Sequence, residues 1–241
     1  MSGHSKWSTI KRKKGANDAK RGAIFTRISK DITIAARESG DDPDMNSALR
    51  LAVKKAKAAN MPSANIERAI KKGTGELEGF NYESYLYEGY GPNGVAIMME
   101  IMTDNKNRTI PELRHIMSKN GGNLGESGCV NWIFEKKGII TIKKDLIDED
   151  SLLEDCMEFD IEDINSDDDT FYEIAVSPES FNSFCAHLEF KNYSIEAELS
   201  LCPQNTVKIK ESDSNQTINM LTLLEDHEDG QKGYTNLEIE K

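Results

Sequence analysis

The chain has 241 residues, of which 37% are apolar and 30% charged, a balance that excludes a collagen-like or wholly disordered polypeptide and suits one to three small domains. No apolar run approaches the ~18 residues a membrane span needs, and the opening Met-Ser-Gly-His-Ser-Lys-Trp has neither an apolar core nor a cleavage site, so neither a membrane protein nor a secreted one is expected. The net charge of −12 conceals two opposed parts: residues 1–75 hold 17 Lys and Arg against 7 Asp and Glu, whereas the remainder holds 13 against 35.

Residues 1–16 are basic and lack periodicity. Lys6, Lys11, Arg12, Lys13 and Lys14 fall within nine positions, interrupted by Trp7 and Ile10, a density that favours an extended arm until an anion neutralises it. Residues 17–39 predict a helix that Asn17 can cap, with Ile24, Ile28, Ile32 and Ala35 as its apolar stripe and Lys20 and Arg27 on another face. A turn at 40–44 precedes a second helix, 46–60, whose inner side is Leu49, Val53, Ala56 and Asn60 and whose basic stripe is Arg50, Lys54 and Lys57. Met61-Pro62 stops it. Ser63 can cap a third helix through Lys72, with Ile66 and Ile70 buried and Gly73 ending it. Alanine fills most inner positions, so this three-helix head is expected to be held loosely.

Beyond a polar linker the pattern turns to strands. Tyr85–Glu88 and Val95–Met102 flank Gly89-Tyr90-Gly91-Pro92-Asn93-Gly94, whose Asn-Gly pair signals a hairpin. Residues 107–120 predict a helix with Ile110, Leu113, Ile116 and Met117 inward, and Val130–Phe134 a strand. A new unit is expected near Gly138. It has strand 139–142, helix 146–159, strands 161–164 and 171–176, helix 178–190 and strand 195–201, the βαββαβ order of a ferredoxin-like domain. Residues 206–241 add a strand, a helix near 218–224 and a strand near 234–239. The predicted class is α+β: an all-α three-helix domain (1–76), a middle α/β domain (80–136 with 206–241), and an acidic ferredoxin-like domain (137–205) inserted in it.

Most candidate chemistry fails on spacing. Gly89, Gly91 and Gly94 spell G-x-G-x-x-G, but Pro92 interrupts them and no helix follows to place amides on a pyrophosphate. His4, His115, His187 and His227 form no metal motif, and Ser127 stands in no nucleophile elbow. Cys129, Cys156, Cys185 and Cys202 have neither zinc nor disulfide spacing and read as reduced cysteines of a cytosolic protein. The thirteen carboxylates between Asp145 and Asp169 read as a solvated acidic surface. No catalytic residue, metal or cofactor is expected. The basic segments point instead to a polyanion. Phosphate neutralisation releases counterions, and Trp7 offers a face for stacking or a clasp for the arm. A basic head docked on its own acidic body is the alternative.

Several of these residues fall in longer runs. Gly3-His4-Ser5-Lys6-Trp7 with Ile10-Lys11, Asp18-Ala19-Lys20-Arg21-Gly22, Ala48-Leu49-Arg50, Asn65-Ile66-Glu67-Arg68-Ala69-Ile70-Lys71-Lys72-Gly73, Tyr87-Glu88-Gly89-Tyr90-Gly91-Pro92, Thr103-Asp104-Asn105, Gly121-Gly122-Asn123-Leu124-Gly125 and Pro203-Gln204-Asn205-Thr206-Val207 together resemble the YebC/PmpR family over nearly the whole chain. The resemblance implies three domains with the third inserted in the second, and a cytoplasmic DNA-binding transcriptional regulator with no catalytic residue. Related members, including a mitochondrial branch, imply a translation factor that contacts ribosomal or messenger RNA and the ribosome. With no presequence before Gly3, the bacterial branch is the expected one. In either case the expected contacts are Lys6, Trp7, Lys11, Arg12, Lys13, Lys14, Lys20, Arg21, Arg27, Arg50, Lys54, Lys57, Lys71 and Lys72. A non-catalytic scaffold binding a basic partner through its acidic unit is a third reading, from another class.

Overall fold

The computed structural model describes residues 18–77 and 82–240, with side chains from Gly22 onward except at position 23. The expected arm and the Asn17 cap lie outside the described residues. Two compact units emerge, one of residues 18–129 and 212–233, the other of 130–211 and 234–240.

In the first unit, helices α1 (Asp18–Ser39), α2 (Ser47–Ala58) and α3 (Ser63–Gly73) form the head. Ile28, Ile32, Ala35, Ala36, Leu49, Ala52, Ala56, Met61, Ile66 and Ala69 make its core. Three expected core positions are corrected. Ile24 is 40% exposed, and the stripe is taken up by half-buried Phe25 and by Ile28. Asn60 is exposed and left-handed (φ 57°), ending α2 as a cap, while Ala52 takes the inner position. Ile70 is only half-buried, and Ala69 is buried beside Ile66.

Polar side chains do much of the fastening. Asn46 caps α2 by accepting from the Leu49 N–H (3.0 Å), and its amide donates to the carbonyls of Ala35 (2.7 Å) and Gly40 (2.8 Å), tying the start of α2 to the end of α1. The Thr33 hydroxyl lies 3.1 Å from the Ala69 carbonyl. Gly73 serves packing: a Cβ there would stand 2.5 Å from the Thr33 carbonyl oxygen and 2.7 Å from the Ala36 Cβ. The left-handed turn after α3 falls at Gly75 (φ +82°) instead.

The same unit contains strands β1 (Glu83–Tyr90), β2 (Ala96–Thr103) and β3 (Asn123–Leu124), helix α4 (Lys106–Lys119), and, far along the chain, helix α7 (Glu211–Asp226) and strand β9 (Gly230–Thr235). The sheet order is β3-β1-β2-β9. β2 is buried at every position but Glu100, as a central strand should be. The β1–β2 hairpin turns through Asn93 (φ 61°) and Gly94 (φ 75°), which explains the Asn-Gly pair. Of the residues expected inward on α4, Leu113 and Met117 are buried and Ile110 and Ile116 half-buried, with Thr109 buried beside them.

The second unit is built on β4 (Phe134–Lys143), α5 (Glu149–Cys156), β5 (Ile161–Asn165), β6 (Phe171–Val176), α6 (Phe181–Phe190) and β7 (Ile195–Pro203). Its antiparallel sheet runs β5-β6-β4-β7, the ferredoxin-like topology. Ile140, Ile142, Leu152, Ile174, Val176, Phe184 and Leu188 fill the core. The strand expected at Val130–Phe134 is a 3-10 turn over Asn131–Ile133, and Phe134 already opens β4. Gly138 therefore lies within a strand, where the Phe181 ring and Val176 occupy the space of a Cβ. Asp148 caps α5 by accepting from the Ser151 N–H (3.0 Å), so that helix starts three residues later than predicted. Strands β8 (Val207–Lys210) and β10 (Leu237–Glu240) pair in parallel and group with this unit.

Candidate nucleic-acid interface

Of the residues proposed to meet phosphate, Lys6, Trp7, Lys11, Arg12, Lys13 and Lys14 lie outside the described residues, and Lys20 and Arg21 are placed only as backbone in the first turn of α1. Arg50, Lys54 and Lys57 are exposed and, spaced i, i+4, i+7, share one face of α2. Arg27 differs: its Nε and Nη2 are buried with no hydrogen-bond partner among the described residues. Near it in sequence, burial pushes the Asp31 carboxyl up, Lys55 opposes that, and Glu100 adds to it.

Lys71 and Lys72 diverge. Lys71 is exposed, while Lys72 is half-buried and shares a face of α3 with Asn65, Arg68 and Ala69, at i, i+3, i+4 and i+7. That face meets Phe25, Thr26, Ser29, Lys30 and Thr33 of α1, and with Tyr82 they line a cleft of about 320 Å³. Among its described lining residues are three cations and no carboxylate. Arg68, exposed, makes no ion pair or hydrogen bond with any described residue. Arg68 stands apart from the basic runs that mark the other expected contacts. Helical phase, which puts Asn65, Arg68 and Lys72 together, could have found it.

Lys30 lies beneath this cleft and was also missed. It is 5% exposed, and its ammonium donates to Asp229 Oδ1 (2.8 Å) and to the carbonyls of Met102 (2.9 Å) and Glu228 (2.9 Å), satisfying all three protons. It also stands 5.2 Å from the centre of the Tyr82 ring. Asp229 Oδ2 accepts from Arg108 Nη2 and from the Thr109 hydroxyl, each at 2.7 Å. Burial alone would raise the Asp229 carboxyl, but the bonds from Lys30, Arg108 and Thr109 overrule it and hold it at about 2. The head is thus pinned to the sheet by a compensated buried ion pair, and the loose attachment expected from its alanine core does not hold.

The other chemical candidates have structural duties. Two of the G-x-G-x-x-G glycines are packing positions: a Cβ at Gly91 would stand 2.7 Å from the Met220 Cε, and one at Gly89 would strike the Asn123 carbonyl, while Gly94 serves the hairpin turn. The loop around Ser127 is held by the buried Glu88, whose carboxylate accepts from the Gly128 N–H (2.7 Å). His227 Nε2 lies 3.0 Å from Glu112, and His187 packs on Phe159 and beside Asp155. The four cysteines are free thiols, and burial pushes Cys156 and Cys185 up to about 11. Among the described residues, no group of three or more His, Cys, Asp or Glu is placed to hold a metal, and no helix is long and apolar enough to cross a membrane.

Comparison with known proteins adds to this geometry. Residues 5–76 match the family model of the TACO1/YebC N-terminal domain, and residues 82–237 match that of the TACO1/YebC second and third domain. A relative from Persephonella marina, described as a "Probable transcriptional regulatory protein", is 52% identical over 99% of this chain and 96% of its own length. One from Syntrophus aciditrophicus with the same description is 53% identical over the same shares. A crystal structure of a conserved hypothetical protein from Aquifex aeolicus superimposes with a TM-score of 0.82 at 42% identity, covering 93% of each chain.

Proposed function

The chain belongs to the TACO1/YebC family and is a regulator of gene expression of that type, and from that premise we propose that it works in the cytoplasm as a nucleic-acid-binding protein without catalytic chemistry. The observation that carries this reading is the charge division: 17 Lys and Arg against 7 acidic residues in the first 75 positions, and 13 against 35 in the rest. The exposed Arg50, Lys54 and Lys57 face on α2 keeps that charge available to phosphate. The acidic remainder is repelled by the same polyanion, which confines contact to the head and arm.

DNA is the first target, gripped through phosphates, with Lys6, Trp7 and the cluster from Lys11 to Lys14 extending the footprint of the head. Such binding depends steeply on salt. A mobility-shift titration with duplex DNA is expected to lose tenfold or more in affinity between roughly 50 and 200 mM salt. Replacing Lys11, Arg12, Lys13 and Lys14 by alanine is expected to weaken binding with no loss of thermal stability, the outcome if these charges serve phosphate and not the fold. Salt-independent binding would overturn the proposal. The second reading, a translation factor on ribosomal or messenger RNA, is favoured by the cleft beside α3, which is too small for a duplex. It predicts cosedimentation with ribosomes.

A further inference from the structure

We propose that the cleft between α1, α3 and Tyr82 receives one unpaired nucleotide of a single strand, its base against an aromatic wall and its phosphate against Arg68 and Lys72. The proposal rests on the nucleic-acid reading above and names the ligand of one part of that interface.

The lining supplies each element such a ligand requires. Phe25 and Tyr82 are half-buried aromatic walls, and a base stacks on such rings whatever its identity. Ser29 and Asn65 are half-buried, and their side chains bond no described residue, so they remain available to the polar edge of a base. Arg68 and Lys72, one turn apart on α3, bring positive charge to the cleft. Lys30 adds little, because Asp229 neutralises it beneath the cleft. None of the described lining residues carries a carboxylate that would repel a phosphate.

Size narrows the choice further. About 320 Å³ is at the lower end of the ~300–1,000 Å³ typical of small-ligand sites. A duplex keeps its bases stacked inside, and only its backbone could touch the rim. A nucleotide splayed out of a single strand, the usual target of aromatic readers of RNA, presents base and phosphate together. The same chemistry would come from RNA or from an opened DNA strand.

The test uses the full chain, fluorescence anisotropy, and labelled 12-nucleotide strands of one sequence as RNA, as DNA, and as the matching DNA duplex. Arg68→Glu is the chosen variant because the native side chain is exposed and bonds no described residue. It is expected to weaken single-strand binding roughly tenfold and duplex binding less than about threefold, in line with the worth of one base-stacking or phosphate contact. A loss confined to single strands upholds the cleft, and its being larger on ribose or on deoxyribose identifies the source of the strand. Equal weakening on single strand and duplex would overturn the cleft and leave general phosphate binding intact. Wild-type protein that binds neither would overturn both. As a second measure, a 4-thiouridine strand is expected to crosslink to peptides containing Phe25, Arg68 or Tyr82, and crosslinks confined to residues 1–17 would also overturn the cleft.

Discussion

Each of the two units buries an aspartate against cationic partners, but the two sites bind their surroundings together very differently. Asp229 uses both carboxylate oxygens. One meets Lys30 of the head, and the other meets Arg108 and Thr109 of α4, so a single side chain joins segments about 200 and 120 positions away. Asp155, on α5 of the ferredoxin-like unit, faces His187 and Lys191 near the end of α6 through Oδ1 alone, and its Oδ2 is buried without a partner among the described residues. Around Asp155 the core is isoleucine, leucine and phenylalanine, whereas the head above Lys30 relies largely on alanine. A small-residue core gains less from burial per position, and polar anchors make up part of the difference. In the ferredoxin-like unit, the apolar core bears most of the load.

The largest effect should come from Asp229→Ala. It leaves the Lys30 ammonium buried without a counter-charge, so a loss of about 3–5 kcal/mol is expected for the first unit by chemical denaturation, with hydrogen exchange rising in α1 while β4 and β6 stay protected. Uniform loss across both units would break the comparison. Phe184→Ala sharpens it from the other side: removal of a fully buried ring should cost about 3–5 kcal/mol, with exchange rising in the ferredoxin-like unit instead. Asn46→Ala should cost about 1–2 kcal/mol, the value of a cap together with two bridging bonds.

A smaller effect is expected from acid. The Asp229 carboxyl sits at about 2 in the fold, below the ordinary ~3.9 of an aspartate. A lowered folded-state value stabilises above the unfolded one, so this contribution is complete above about pH 4 and is lost as pH falls towards 2. Denaturation midpoints at pH 5 and pH 2.5, compared between wild type and Asp229→Ala, should show a smaller acid-dependent loss in the variant.

Much of this architecture could be read from the chain. The i, i+4 stripe of α1, the Asn-Gly hairpin and the βαββαβ order each express a local period or turn requirement. The misreadings also have local causes. Ile24 has the right spacing but falls where half-buried Phe25 takes the place. Asn60 follows the phase of α2 yet serves as its left-handed end. Gly138 looks like a boundary, but the Phe181 ring requires it within β4. Lys30 could not be recognised at all. Next to Ser29 and Asp31 it reads as one more surface cation, since what buries it lies 199 positions away. Arg68 carried a legible signal in helical phase.

The distance from Lys30 to Asp229 also sets an order of events during synthesis. At roughly 5–20 residues per second, the head waits about 8–31 s after its last helix is joined at Gly73 before the carboxylate that seats it exists. Throughout that interval Lys30 has the Met102 carbonyl of β2 within its reach but no carboxylate to neutralise it. A nascent chain interrupted before α7 and β9 would carry a complete ferredoxin-like sequence together with a head whose buried ammonium keeps the Met102 carbonyl but lacks its counter-charge.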